Sequence, residues 1–336
     1  MVERSCSARL PDSMQTITFP HTNLTASRAA FGTMPFGTQA DEAECRRMVD
    51  YCIDHGITFF DTADAYNGGL AETVLGKVLK GRRDRVTVAS KVGFAEPKKP
   101  GDPKLSKNAI LAAIDGSLQR LQMDYVDLYY LHIPDWGTPI EESLEAMNEV
   151  VKSGKARWLA SSNYASWQIV EMLSICEKNG WAAPYITQVM YNPLARGIEQ
   201  EYQAMCKRFG VSTIVYNPLA GGLLTGKQPR QEPVAGSRFH KNKLYLDRYW
   251  HPAYFDAVEK LKRAGEAHGR DLIDVSLSWV LRHTPSDGVI LGASRMSQLE
   301  QNVRAFEQSR PLEPDVLEAV EEVWRDLRGI TPNYNR

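Results

Sequence analysis

The sequence has no surplus of either charge: 40 Lys and Arg stand against 41 Asp and Glu over 336 residues, for a formal net charge of −1. Without a basic block, nothing steers the chain toward nucleic acid or an anionic membrane, and a small molecule is the default partner. Cysteine is scarce, and Cys6, Cys45, Cys52, Cys176 and Cys206 form no CxxC pair. An odd count in so long a chain reads as reduced thiols in a cytoplasmic protein. No apolar run approaches the roughly 18 residues of a membrane span, and the opening MVERSCSARLPDS lacks the apolar stretch of a signal peptide. The segment FGTMPFGTQ, after the first strand-like run, has no GxGxxG. That omission counts against an open doubly wound dinucleotide-binding sheet.

What is present is enough apolar residue, 43%, for a large core. Short apolar runs centre near residues 30, 58, 87, 128, 158, 188, 214 and 289, with amphipathic helical stretches between them. Asp41 is an N-cap candidate for a helix reaching His55, on which Cys45, Met48, Val49 and Cys52 share one face as core side chains. Ser106 opens another helix, with Ile110, Ile114, Ser117, Leu118 and Leu121 on one face, and Gly154 follows a third that runs from about Pro139. Eight such units predict one domain over residues 1–336, an α/β (β/α)8 TIM barrel over about 28–306. Residues 14–28 read as an N-terminal hairpin plugging the barrel bottom, and 313–328 as an extra C-terminal helix. The long step after strand 7 holds a Gly, Pro and basic stretch of little helical character, so residues 221–252 are expected to form a loop over a ligand.

Three successive strand-like runs, ITFFD, VTVASK and VDLYYLH, stop at Asp61, Lys91 and His132, and Tyr66 follows the first. In a barrel these ends face one another at the C-terminal mouth. Each residue alone has a bland reading, as a cap, a surface aromatic, a solvated end or a satisfied imidazole; the four together compose a reducing site. Tyr66 is the natural proton donor to a carbonyl oxygen, but a free phenol of pKa about 10 is a poor acid at neutral pH. Lys91 supplies a cation, with a Coulomb term of about 4 kcal/mol at 4 Å and an effective dielectric of 20, before desolvation subtracts from it. Asp61 keeps Lys91 charged, and His132 donates a second hydrogen bond to the carbonyl. A metal-dependent barrel lyase would need several His and carboxylate ligands at strand ends; His132 is the lone His there, so no metal is expected.

These residues resemble the aldo-keto reductase family across nearly the whole chain, through FFDTADAYNGGLAETVLGKVL, VTVASKVG and YVDLYYLH. The resemblance implies a nicotinamide cofactor bound extended without a Rossmann domain, and Asp61, Tyr66, Lys91 and His132 as a catalytic tetrad. It implies cofactor contacts from Gly32, Thr33 and Met34 closing the first strand. Ser162 and Asn163 match the pair that holds the carboxamide, although ASSNY stands where family members often have GVSNF, with Ala160 in place of the Gly. Gln188 matches a second carboxamide contact and Tyr216 the aromatic under the ring. Leu219, Gly221, Gly222 and Lys227 resemble the pyrophosphate loop. That loop nearly spells a P-loop, but Gln228 stands where a Ser or Thr must hold magnesium. In GASRMSQLEQN, the residues Gly292, Ser294, Arg295, Gln298 and Asn302 look like the adenosine site. No acidic residue stands there to hold a free ribose diol, so NADPH is expected over NADH.

The leading expectation is reversible NADPH-dependent reduction of an aldehyde or ketone to an alcohol. The alternative is a cofactor-binding regulatory subunit of a membrane protein with little turnover. Met34, Phe36, Phe94, Trp136, Tyr245, Tyr249 and Trp250 are candidates for an aromatic mouth. The particular substrate and any homo-oligomer stay open.

Overall fold

The computed structural model describes residues 14–95 and 103–335; Cys6 lies outside them. β1 (Thr16–Thr18) and β2 (Thr25–Ser27) pair antiparallel as the expected hairpin. Phe19, Leu24 and Ala26 from it pack on Ala30, Phe59, Ala89, Leu128, Ile186, Ile214 and Ile290, one apolar plug filling the barrel floor.

Eight parallel strands follow: β3 (Ala29–Gly32), β4 (Phe59–Asp61), β5 (Thr87–Val92), β6 (Val126–Leu131), β7 (Ala156–Ser162), β8 (Ile186–Met190), β9 (Ser212–Tyr216) and β10 (Gly288–Gly292). Pairing of β10 with β3, Val289 beside Ala29, closes the barrel. Strands covered on both faces explain the near-continuous apolar runs: Phe59 and Ala89 point into the floor cluster, while neighbouring Phe60 and Val88 point out against the helices.

The surrounding helices start where their caps dictate. α1 (Glu42–Asp54) is capped by Asp41, which accepts the Glu44 N–H at 2.8 Å, and its Cys45, Met48, Val49 and Cys52 are buried as expected. α2 (Leu70–Val78) and α3 (Lys107–Leu121), the latter capped by Ser106, cross so closely that a Cβ on Gly76 would sit 2.2 Å from the Leu121 carbonyl oxygen. α4 (Ile140–Lys152), α5 (Ser166–Asn179) and α6 (Tyr202–Phe209) continue the alternation.

The segment after β9 is less irregular than expected. Within residues 221–252, α7 (Lys243–Tyr249) forms because the Asn242 side chain accepts the Tyr245 N–H and Tyr245 and Tyr249 bury their rings. α8 (Pro252–Glu266) then lies outside the repeat and α9 (Leu272–Arg282) returns to it, before β10 and α10 (Met296–Glu307). The expected C-terminal helix, α11 (Pro314–Leu327), packs on α8 with a 2.5 Å Lys260–Glu322 ion pair at its edge. The long step therefore contains three α-helices, one within the expected loop and two after it.

Candidate active site

β4 ends at Asp61, β5 carries Lys91 one residue before its end, and His132 directly follows β6, so parallel register brings three side chains to one mouth. Lys91 Nζ donates to Asp61 Oδ1 at 2.5 Å, to the Thr62 carbonyl at 2.8 Å and to the Tyr66 hydroxyl at 3.3 Å. Gln188 Nε2 holds the other Asp61 oxygen at 2.8 Å. Lys91 is 0% exposed, so its charge depends wholly on these partners. The Tyr66 and His132 rings stand edge-on, with centroids 5.8 Å apart at 77°.

Electrostatics sorts the roles. Burial works to discharge Lys91, but Asp61 and Tyr66 win and hold its ammonium above the ordinary lysine range. For Tyr66, burial outweighs the pull of Lys91 and the phenol sits above its ordinary value. In the folded chain desolvation prevails over the cation, and Tyr66 keeps its proton. Burial and then Lys91 push His132 well below the ordinary imidazole range, so the ring is neutral, and its buried Nδ1 has no hydrogen-bond partner. Behind Lys91, Ser90 donates to Glu72 at 2.5 Å and Arg120 donates to it at 2.7 Å. Burial, with nearby Glu72, pushes the Asp64 carboxyl up to about 7.

These groups open into one cavity of about 580 Å³ that runs from Gly32 and Met34 past Asp61, Tyr66 and His132 to Asn302 on α10. Ser162, Asn163, Gln188, Tyr216, Leu219, Gly221, Gly222, Lys227, Gly292, Ser294, Arg295 and Gln298 line it as well. A volume of this order lies within the range of small-molecule and cofactor sites. A Cβ on Gly222 or Gly292 would meet nothing within 4 Å, which leaves bare backbone facing the space. Asn217 also lines it, with a buried Nδ2 that lacks a partner. Among the described residues no group of three His, Cys, Asp or Glu could hold a metal ion.

A family model described as "Aldo/keto reductase family" matches residues 28–325. The chain belongs to the aldo-keto reductase family. It is 37% identical over 329 residues to human "Aflatoxin B1 aldehyde reductase member 2", covering 92% of this chain and 89% of that protein. Human "Aldo-keto reductase family 7 member A3" is 35% identical, with 91% and 96% covered. "Probable voltage-gated potassium channel subunit beta" of Arabidopsis thaliana is 33% identical, with 89% and 93% covered. This aldo-keto reductase is thus an oxidoreductase that uses a nicotinamide cofactor on small carbonyl compounds. No helix among the described residues is long and apolar enough to cross a membrane.

Two residues assigned to the reductase's site by motif do not line the cavity. Lys91 stands behind Tyr66, as a buried counter-charge must. Thr33 is fully buried, its hydroxyl and N–H both bonded to the Asp61 carbonyl at 3.0 and 2.9 Å, and so positions β4 rather than facing a ligand. Gln188 lines the cavity and spends an amide N–H on Asp61. Asn163, in the left-handed region at φ 63°, donates to the His132 carbonyl at 2.9 Å and accepts from Tyr216 at 2.7 Å. The Ala160 methyl does not disturb this strand, because Tyr130 pairs with Ala160 and Leu131 with Ser161 in unbroken register.

Of the proposed mouth, Met34, Phe94 and Tyr245 line the cavity. Phe36 and Tyr249 instead fill the core, Trp250 packs on Phe239 and Phe255, and Trp136 is 75% exposed beside Trp167, away from the cavity. Arg238 and Arg248 line it without having been anticipated, since a stretch with several basic residues does not mark which of them face a ligand. Asn67 was also missed: its amide ties the Tyr66 turn to the carbonyls of Met34 at 2.8 Å and Phe36 at 2.9 Å.

At the head of α10, Ser294 donates both its N–H and its hydroxyl to Gln298 Oε1, at 2.9 and 3.1 Å. The N–H of Met296, the first residue of α10, goes to Glu44 Oε1 at 2.7 Å. Glu44 thus reaches the head of α10, although it is not among the residues that line the cavity. It arrives from α1, at the opposite end of the sequence, where no motif around residue 295 could reveal it.

Proposed function

We propose that the protein reduces an aldehyde or ketone to an alcohol with NADPH, reversibly, and that Tyr66 donates the proton. The observation that carries this reading is the Asp61–Lys91–Tyr66 chain of hydrogen bonds at the mouth of the cavity. NADPH, when bound, supplies hydride from its nicotinamide C4. Tyr66 enters the reaction protonated, and the ammonium 3.3 Å away stabilises the phenolate left when the proton reaches the carbonyl oxygen. Asp61, fixed through both oxygens, keeps that ammonium charged. Neutral His132 has an N–H to give to the same carbonyl oxygen. Ser162, Asn163 and Gln188 are the polar groups placed for the carboxamide, and Tyr216 offers its ring face. The segment over residues 221–252 covers the cofactor, with Tyr245 and Arg238 at its inner face.

Arg295 and Ser294, at the head of α10, support NADPH over NADH through the 2′-phosphate. The substrate is a small carbonyl that fits beside Met34, Phe94 and Tyr245. The relatives named aldehyde reductases favour this reading, while the channel-subunit relative keeps a regulatory reading in contention. Consumption of NADPH across a panel of aldehydes, ketones and keto sugars decides between them. Turnover with at least one class supports the reductase; tight NADPH binding without turnover across the panel supports the regulatory subunit.

A further inference from the structure

Glu44 sits at the third position of α1, where a glutamate ordinarily folds back to cap its own helix. Here Asp41 does the capping, and the Glu44 carboxylate reaches to the head of α10. Its Oε1 accepts the Met296 N–H at 2.7 Å, and its other oxygen pairs with Arg47. The side chain is only 16% exposed, against 69% for Arg47, so the carboxylate is seated between two helices while its partner is largely in solvent.

We propose that Glu44 is a specificity-determining residue that opposes the 2′-phosphate of NADPH and lets this chain accept NADH as well. The proposal rests on the reading above that places the 2′-phosphate at Ser294 and Arg295. An unoccupied helix head favours a phosphate through its free N–H groups and the positive end of its dipole. In this protein a charged acceptor already uses one of those groups. A phosphate carrying close to two negative charges meets Glu44 as a like charge, partly offset by Arg295 and exposed Arg47. The acceptor on Ser294 is the neutral Gln298 amide, which a phosphate displaces at small cost. A ribose with a free 2′-hydroxyl meets the opposite situation: it brings no charge for the carboxylate to repel, and it leaves the Ser294–Gln298 bonds intact.

The test is equilibrium titration by quenching of protein fluorescence, with NADPH, NADH and the fragment 2′,5′-ADP, on the full chain and on Glu44→Gln, Glu44→Ala and Arg295→Ala. Glu44→Gln keeps an oxygen for the Met296 N–H and removes only the charge. It should raise the ratio Kd(NADH)/Kd(NADPH) by about five- to tenfold, the scale of one charge at a helix head. Most of the change should be tighter NADPH, and 2′,5′-ADP should tighten in parallel. Glu44→Ala should move the ratio in the same direction. A ratio unchanged in both Glu44 variants, or moved toward NADH, overturns the proposal. Arg295→Ala tests the underlying reading separately: selective loss of NADPH and 2′,5′-ADP affinity upholds it, and equal loss with NADH removes the 2′-phosphate role of Arg295 and the Glu44 proposal with it.

Discussion

Gln188 Nε2 donates to Asp61 Oδ2 at 2.8 Å, joining the middle of β8 to the end of β4 across the barrel mouth. With Lys91 on Oδ1, both oxygens of this buried carboxylate are occupied. Asp61 is thereby a fixed counter-charge, and removing its charge strands an ammonium that has no exposure to water. Asp61→Asn should cost about 3–5 kcal/mol of stability and lower the thermal midpoint by several degrees. Adding Lys91→Met to that variant removes the stranded charge and should recover most of the midpoint without recovering turnover. Calorimetry with a carbonyl-reduction assay on the same samples checks both halves. A double variant as unstable as the single one would show that the pair is not the source of the loss.

Asp64 gives a pH-dependent prediction. Burial and Glu72 push its carboxyl up to about 7 from an ordinary 3.8, so the folded chain holds a proton there that the unfolded chain has released. Stability from this group is fully present below about pH 3.8 and is lost as pH rises to about 7. Asp64→Asn should therefore raise the thermal midpoint by more at pH 8 than at pH 5, with no further gain above pH 8. An equal gain at both pH values would remove the titration from the account.

Gly221 has φ +68°, and a Cβ there would come within 2.6 Å of the Tyr245 ring. Gly221→Ala must move Tyr245, the aromatic that the covering segment presents to the cavity. The expected result is a KM for NADPH raised several-fold, with kcat changed less. A variant with wild-type KM would show that the segment does not bear on the cofactor.

Much of this was legible in sequence because barrel geometry repeats. A strand end in a parallel barrel has a fixed destination, so Asp61, Lys91 and His132 could be brought together from the positions where apolar runs stop. The hairpin plug, the α1 face and the Asp41 and Ser106 caps were legible for the same reason, each being a local pattern. What escaped was set by tertiary contact. Thr33 was carried over as a ligand contact, yet its side chain turns back to the Asp61 carbonyl. Phe36 and Tyr249 carry the same chemistry as Phe94 and Tyr245, and only packing decides which pair is core and which lines the cavity. Glu44 meets Met296 across most of the chain, and α7 hid behind a stretch punctuated by glycines and prolines. Lys91 was legible as a cation beside Tyr66, but the balance between that cation and burial depended on how dry the site is.

The central claim is that Tyr66 gives its proton to the carbonyl beside a bound nicotinamide, and Tyr66→Phe tests it most directly. Single-turnover loss of NADPH absorbance, measured with an NADPH binding titration on the same variant, separates proton donation from cofactor binding. NADPH affinity should stay within about twofold of wild type, while the rate should fall by about 10²–10⁴-fold. A Tyr66→Phe protein that still reduces the substrate at close to the wild-type rate would contradict the account.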